Sequence, residues 1–411
     1  MNLYSIFSVL ITLIVAITYL NARFIKMQTT SAIMISSLLI SLVLLLLSKF
    51  DITHIETRVE QMIDGLHFHD LLINGMLSFL LFAGALTIDS TTLKNQRWEI
   101  FTLASIGTVI SVFVVAVLTY YMLSLLGLPL PFNYCILFGA LISPTDPIAV
   151  LAMLTSMRAP KKLKVIIAGE SLFNDGVGII IFITAYQFTF SSAHPSLHGA
   201  MFLFTQKALG GLTYGAILGW LGNYLIRNIS DHKLHILITV AITTGGYSLT
   251  QLLNISGPLA MVVAGMLIGN ACRLKPPTNF SYQILEGFWE VIDELLNALL
   301  FLLIGFEILL IRYYTGEIIA CLFSILLGLL ARTIIIAIPM HFFKRIRRYP
   351  PQTTKILIWG GLRGGLAVAL ALSLPQNHFR DLILGMTYAI VVFAIIVQGT
   401  TIKSLVKRSL Q

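Results

Sequence analysis

Stretches of about 17 to 25 apolar residues, the length a helix needs to cross a bilayer, alternate with short polar connectors along nearly the whole chain. Thirteen can be read, at roughly 3–20, 30–48, 70–88, 98–123, 131–156, 163–188, 200–226, 234–253, 256–271, 285–311, 316–341, 353–374 and 382–403. Each predicts a membrane-spanning helix, so the expected fold class is an all-α integral membrane protein with about 13 transmembrane helices. Two stretches are interrupted. In the fifth, Ser143-Pro144-Thr145-Asp146-Pro147 removes backbone donors at two prolines and predicts a break near mid-bilayer, a simple proline kink being the plainer alternative. In the twelfth, Gly360-Gly361-Leu362-Arg363-Gly364-Gly365 weakens the helix with four glycines around an arginine. The two stretches stand seven apart, and matching interruptions in two halves point to an inverted-repeat transporter with crossing broken helices. The repeat is read from position alone, without residue identity between the halves.

Composition excludes a soluble domain. With 57% hydrophobic and 11% charged residues and a mean hydropathy of +0.89, the chain cannot present an ordinary polar surface to water. Its net charge of +9 has a topological origin. Loops after odd-numbered stretches, with the C-terminus, hold 20 of the 27 Lys and Arg, the opposite side holds 4, and Lys207, Arg332 and Arg363 lie inside stretches. By the positive-inside rule the N-terminus is outside and the C-terminus cytoplasmic. Nucleic acid is not an expected partner. The basic clusters Arg158 to Lys164 and Lys344 to Arg348 chiefly report orientation, with contact to anionic lipid a secondary reading.

The first stretch has its basic residues, Arg23 and Lys26, after it, the reverse of a signal peptide, and is expected to be retained. Lys49 to His69 is expected to lie on the outer surface as a short amphipathic segment, 191–196 is an ordinary connector, and the short tail after the last stretch leaves no room for a cytoplasmic sensor domain. Cys135, Cys272 and Cys321 have no metal-ligand spacing and read as small buried hydrophobes.

The chemistry is concentrated in the sixth stretch, at Gly169-Glu170-Ser171-Leu172-Phe173-Asn174-Asp175. An unpaired charge at that depth costs at least about 2.5 kcal/mol and marks a functional site. At about 100° per residue, Glu170, Asn174, Ser171 and Asp175 share one face roughly 140° wide. Glu170 and Arg332 each lie about 12 to 15 Å from the cytoplasmic ends of their helices, which predicts a buried ion pair and leaves Asp175 without a permanent partner. Thr145 offers a hydroxyl and a carbonyl at the fifth-stretch break, Asp146 can cap the broken helix, and Arg363 is expected to balance Asp146 across the two breaks. Glu290, Asp293 and Glu294, near the cytoplasmic start of the tenth stretch, read either as a funnel that draws cations or senses pH, or as an ordinary helix-end cluster. Glu307 reads as interfacial.

At these residues the chain resembles the NhaP-type sodium/proton antiporters, a branch of the monovalent cation/proton antiporters. The resemblance rests on Thr145-Asp146-Pro147, Gly169 to Asp175, Phe288-Trp289-Glu290, Leu303-Ile304-Gly305, Ala331-Arg332 and Gly361-Leu362-Arg363-Gly364. It implies an NhaA/NhaP-like fold with core transport segments 96–188 and 316–411, which move against scaffold and dimer-forming segments 1–95 and 189–315. It also implies a homodimer, a bacterial inner-membrane location, and a sodium site at Asp175, Ser171 and Thr145, with Glu170 nearby and held by Arg332. Some relatives carry an acidic residue in the third stretch where this chain has Ala83, so whether that stretch supplies a ligand stays open.

Competition between a proton and Na+ or Li+ at one carboxylate suffices for exchange, and Asn174 in place of a second Asp predicts electroneutral 1:1 exchange by alternating access. A potassium/proton exchanger would use the same residues, whereas a channel would need an open acid-lined pore. No enzyme is expected, since HExxH, GxSxG and mid-helix histidine pairs are absent from the sequence. No cofactor is expected beyond the transported ions.

Overall fold

The computed structural model describes residues 3–48, 71–157, 159–190, 197–274, 281–307, 316–347, 349 and 352–410. In chain order, apart from the short unlabelled helix Ser90–Asn95, the helices are α1 (Tyr4–Ile25), α2 (Thr29–Ser48), α3 (Leu71–Leu86), α4 (Arg97–Leu125), α5 (Phe132–Ile142), α6 (Ile148–Ser156), α7 (Lys161–Phe190), α8 (Leu197–Arg227), α9 (232–252), α10 (Gly257–Leu274), α11 (Ser281–Glu307), α12 (Glu317–Arg347), α13 (Thr353–Trp359), α14 (Gly365–Leu372) and α15 (His378–Lys407). Among the described residues, the apolar stretches overlap single helices or broken pairs. Taken singly, α1, α4, α7, α10, α12 and α15 are long and apolar enough to cross a membrane. The segment Lys49 to His69, the connector 191–196, and Arg158 and Arg348 of the basic clusters fall outside the described residues.

Backbone chemistry explains why helices dominate. In hydrocarbon no water satisfies an N–H or C=O, so each crossing segment must close its own hydrogen bonds. Close approach between crossings then depends on small side chains. Gly211 and Gly215 of α8 lie against α10, where a Cβ would come within 2.6 Å of the Ser256 carbonyl oxygen and 2.5 Å of the Ala260 carbonyl oxygen, respectively.

Both interruptions break the helix as the sequence predicts. α5 ends at Ile142 and α6 begins at Ile148; α13 ends at Trp359 and α14 begins at Gly365. The extended segments between them meet in one antiparallel bridge, with the Asp146 N–H donating to the Leu362 carbonyl at 2.8 Å. Antiparallel pairing is the arrangement that two oppositely oriented repeats require. Around the crossing, a buried cluster including Leu103, Val150, Ile166, Ile336, Leu357 and Ile402 joins α4, α6, α7, α12, α13 and α15, with Leu362 of the crossing itself and the connector residues Ala159 and Tyr349.

Candidate ion-binding site

Four helix ends converge where the broken pairs cross, and each carries a partial charge from its unpaired backbone groups. The two carboxyl ends are negative, and each holds an arginine. One Arg363 Nη donates to the carbonyls of Ser143 and Pro144 at the end of α5, at 2.6 and 2.8 Å. Arg332 donates to the Leu357 carbonyl in the last turn of α13 at 3.0 Å. At the amino ends, Asp146 accepts the Ile148 N–H of α6 at 2.9 Å, and a Cβ on Gly364, just before α14, would lie 2.6 Å from its Oδ2. Asp146, one residue before the Pro147 cap position, thus satisfies the first free N–H of α6, the capping function the sequence predicts for it. Arg363 departs from expectation: it neutralises carbonyls at the end of α5, because its guanidinium points to the negative end of that helix.

The predicted ion pair forms. Arg332 engages Glu170 with both terminal nitrogens, one bond being 3.1 Å. Both residues are buried, and the planar fork of arginine suits such bidentate pairing.

One face of α7 meets the α5–α6 break through an amide clamp. Asn174 Nδ2 donates to Thr145 Oγ1 at 2.9 Å, and Asn174 Oδ1 accepts the Thr145 N–H at 3.2 Å. Thr145 Oγ1 also lies 2.9 Å from Ser171 Oγ. Asp175, the next residue along, makes no hydrogen bond or ion pair among the described residues.

Asp175 instead lines a cavity of about 830 Å³ together with Thr145, Asp146, Asp293 and Asn297. Exposed Lys161 and Thr155 stand at its mouth with Asp89, Arg273 and Glu286. This is the Lys- and Arg-rich end of the molecule, and Asp175 lies about 21 Å along α7 from Lys161. At the mouth, the Thr91 hydroxyl beside Asp89 holds its carboxyl below the usual carboxylate range. Arg273 donates to the Thr87 carbonyl at 2.9 Å and to the Tyr282 hydroxyl, which in turn donates to Glu286 at 2.8 Å.

The transmembrane sodium/hydrogen exchanger family matches residues 9–408 of this chain. The chain belongs to the sodium/hydrogen exchanger family. It is 41% identical over 405 residues to the Na(+)/H(+) antiporter NhaP of Pseudomonas aeruginosa, covering 97% of this chain and 95% of that protein. It is 32% identical over 376 residues to the Na(+)/H(+) antiporter NhaH of Halobacillus dabanensis, covering 90% and 91%. The fold is similar to that of the sodium proton antiporter MjNhaP1 from Methanocaldococcus jannaschii, with a TM-score of 0.77 and 17% identity over 100% of both chains.

Within this family member, all the predicted site residues but Glu294 fall into two groups. Thr145, Asp146, Asp175, Glu290 and Asp293 line the cavity. Ser171, Glu170, Asn174, Arg332 and Arg363 stand behind it, with Ser171 and Asn174 reaching it through Thr145. Glu294 is exposed and is not part of the lining. Ala83 is buried and contributes nothing to the lining. Sequence reasoning missed Asn297, whose only local signal is a spacing of four residues from Asp293 on one helix face.

Proposed function

We propose that this chain exchanges Na+ or Li+ for H+ across the membrane, one proton replacing one cation at Asp175. The observation that carries the reading is the Asp175 carboxylate, unpaired on the wall of a cavity that opens at the basic end. A proton and a cation both satisfy such a group, and neither can bind while the other is present. The relatives' names, all sodium/proton antiporters, favour sodium over potassium. In this reading Thr145 offers oxygen from the cavity wall, Ser171 and Asn174 set its hydroxyl, and Glu170 is occupied as the counter-charge of Arg332. Asp146 and Arg363 hold the crossing together.

Alternating access follows from the charge balance. The crossing has its helix ends compensated, so only the charge on Asp175 changes with occupancy. An ion or a proton there gives a site that can cross the barrier, and an empty, charged site does not. Segments 96–188 and 316–411 move against 1–95 and 189–315, the latter also forming a homodimer. The basic end faces the cytoplasm of a bacterial inner membrane, which makes the described state inward-open.

Proton flux in reconstituted vesicles tests the proposal. An imposed pH gradient should drive uptake of sodium or lithium, and Asp175→Asn should abolish it. Exchange that persists in Asp175→Asn removes the site, potassium exchange at equal rate removes the selectivity, and flux driven by voltage alone removes the 1:1 stoichiometry.

A further inference from the structure

Asn297 lies on α11 with only 2% of its surface exposed, and it lines the cavity. Its Nδ2 donates to the Asp293 carbonyl oxygen at 2.8 Å. Only the amide nitrogen can donate to a carbonyl, so chemistry settles which way the group faces. Oδ1 is left as an acceptor with no hydrogen-bond partner among the described residues. Buried acceptors without partners are rare in folded proteins and call for an explanation. A cation supplies one, because it satisfies an oxygen without a donor.

Asp293 sits one helical turn earlier on the same face and lines the same cavity. Asp146 lines that cavity too, standing on the crossing beside Gly364. Repulsion between these two acids is relieved by a monovalent cation close to both. Carboxylate and amide oxygens are ligands for hard cations such as sodium and lithium.

We propose that Asp293 and Asn297 form a staging site for the transported cation on the α11 wall, where it loses part of its hydration before reaching Asp175. The proposal rests on the exchange reading above and adds a second, earlier stop that holds no transported proton.

Two measurements test it. In vesicle exchange, Asn297→Leu, which keeps the branched skeleton and removes the oxygen, should raise the apparent KM for sodium about tenfold, as loss of one ligand implies, with kcat within about twofold. Asn297→Asp, which keeps an oxygen there, should stay near the wild-type KM. Calorimetric titration with sodium chloride in an Asp175→Asn background should still show binding, and adding Asn297→Leu should remove it; Asn297→Ala serves if Leu does not yield folded protein. An unchanged KM in Asn297→Leu, or no sodium binding in Asp175→Asn, overturns the staging site. Failure of the Asp175 reading would appear separately, as exchange surviving in Asp175→Asn.

Discussion

Arg363 and Ser143, 220 positions apart in the chain, are joined by a 2.6 Å hydrogen bond from the guanidinium to the last carbonyl before the α5 break. The bond places a positive charge at the negative end of a helix that stops inside the membrane, where water cannot compensate it. Together with the Arg332 contact to Leu357, it makes the interrupted helices tolerable at that depth.

Replacing Arg363 should therefore weaken the fold before it touches ion binding. Hydrogen bonds from a charged donor contribute about 1.5–3 kcal/mol each, and Arg363→Gln removes the charge from both. A clear drop in melting temperature in detergent is expected, with Arg363→Lys intermediate. A wild-type melting temperature in Arg363→Gln would show that the α5 end needs no counter-charge.

Glu170 and Arg332 should behave as one unit. Removing one partner of a buried pair costs about 3–5 kcal/mol, whereas replacing both with apolar residues is far milder. Thermal unfolding of Glu170→Leu, Arg332→Leu and the double variant should place the double variant closer to wild type than either single one. Simple additivity of the two losses would contradict the pairing.

Gly364→Ala should disable transport while leaving insertion intact. Its Cβ would lie 2.6 Å from Asp146 Oδ2 and 2.7 Å from Asp146 Cβ, so the cap of α6 must move. Displacement at a site of this kind costs about tenfold or more in rate. Gly287→Ala on α11 is the control, since nothing lies within 4 Å of a Cβ there, and it should exchange at the wild-type rate.

Asp89 supplies a pH-dependent element at the cavity mouth. It caps the short helix Ser90–Asn95 by accepting the Thr91 N–H at 3.0 Å, and its carboxyl is held below the usual range, first by the Thr91 hydroxyl. A carboxyl lowered in the folded state contributes stability above its unfolded value of about 3.9, and loses it as pH falls through the folded value. Asp89→Ala should cost about 0.5–2 kcal/mol near neutral pH. In melts across pH 3 to 7, the gap from wild type should close at the acidic end; a constant gap would show that the carboxylate charge is irrelevant.

Much of this molecule is legible in its sequence because lipid imposes local costs. An apolar stretch must be helical, two prolines or four glycines must interrupt it, and a charge at mid-depth must be paired or functional, whatever the rest of the chain does. The positions of the breaks, the Glu170–Arg332 pair and the isolation of Asp175 follow from such residue-by-residue penalties.

Partner choice within the crossing was decided only by tertiary structure. Arg363 finds helix-end carbonyls where sequence suggested Asp146, Asn174 clamps Thr145 across 29 positions, and Asn297 comes to line the same cavity as Asp175. Each depends on the angle at which separate helices cross and on which face each turns inward. Those geometric quantities emerge from packing many side chains at once, and no short stretch of sequence encodes them.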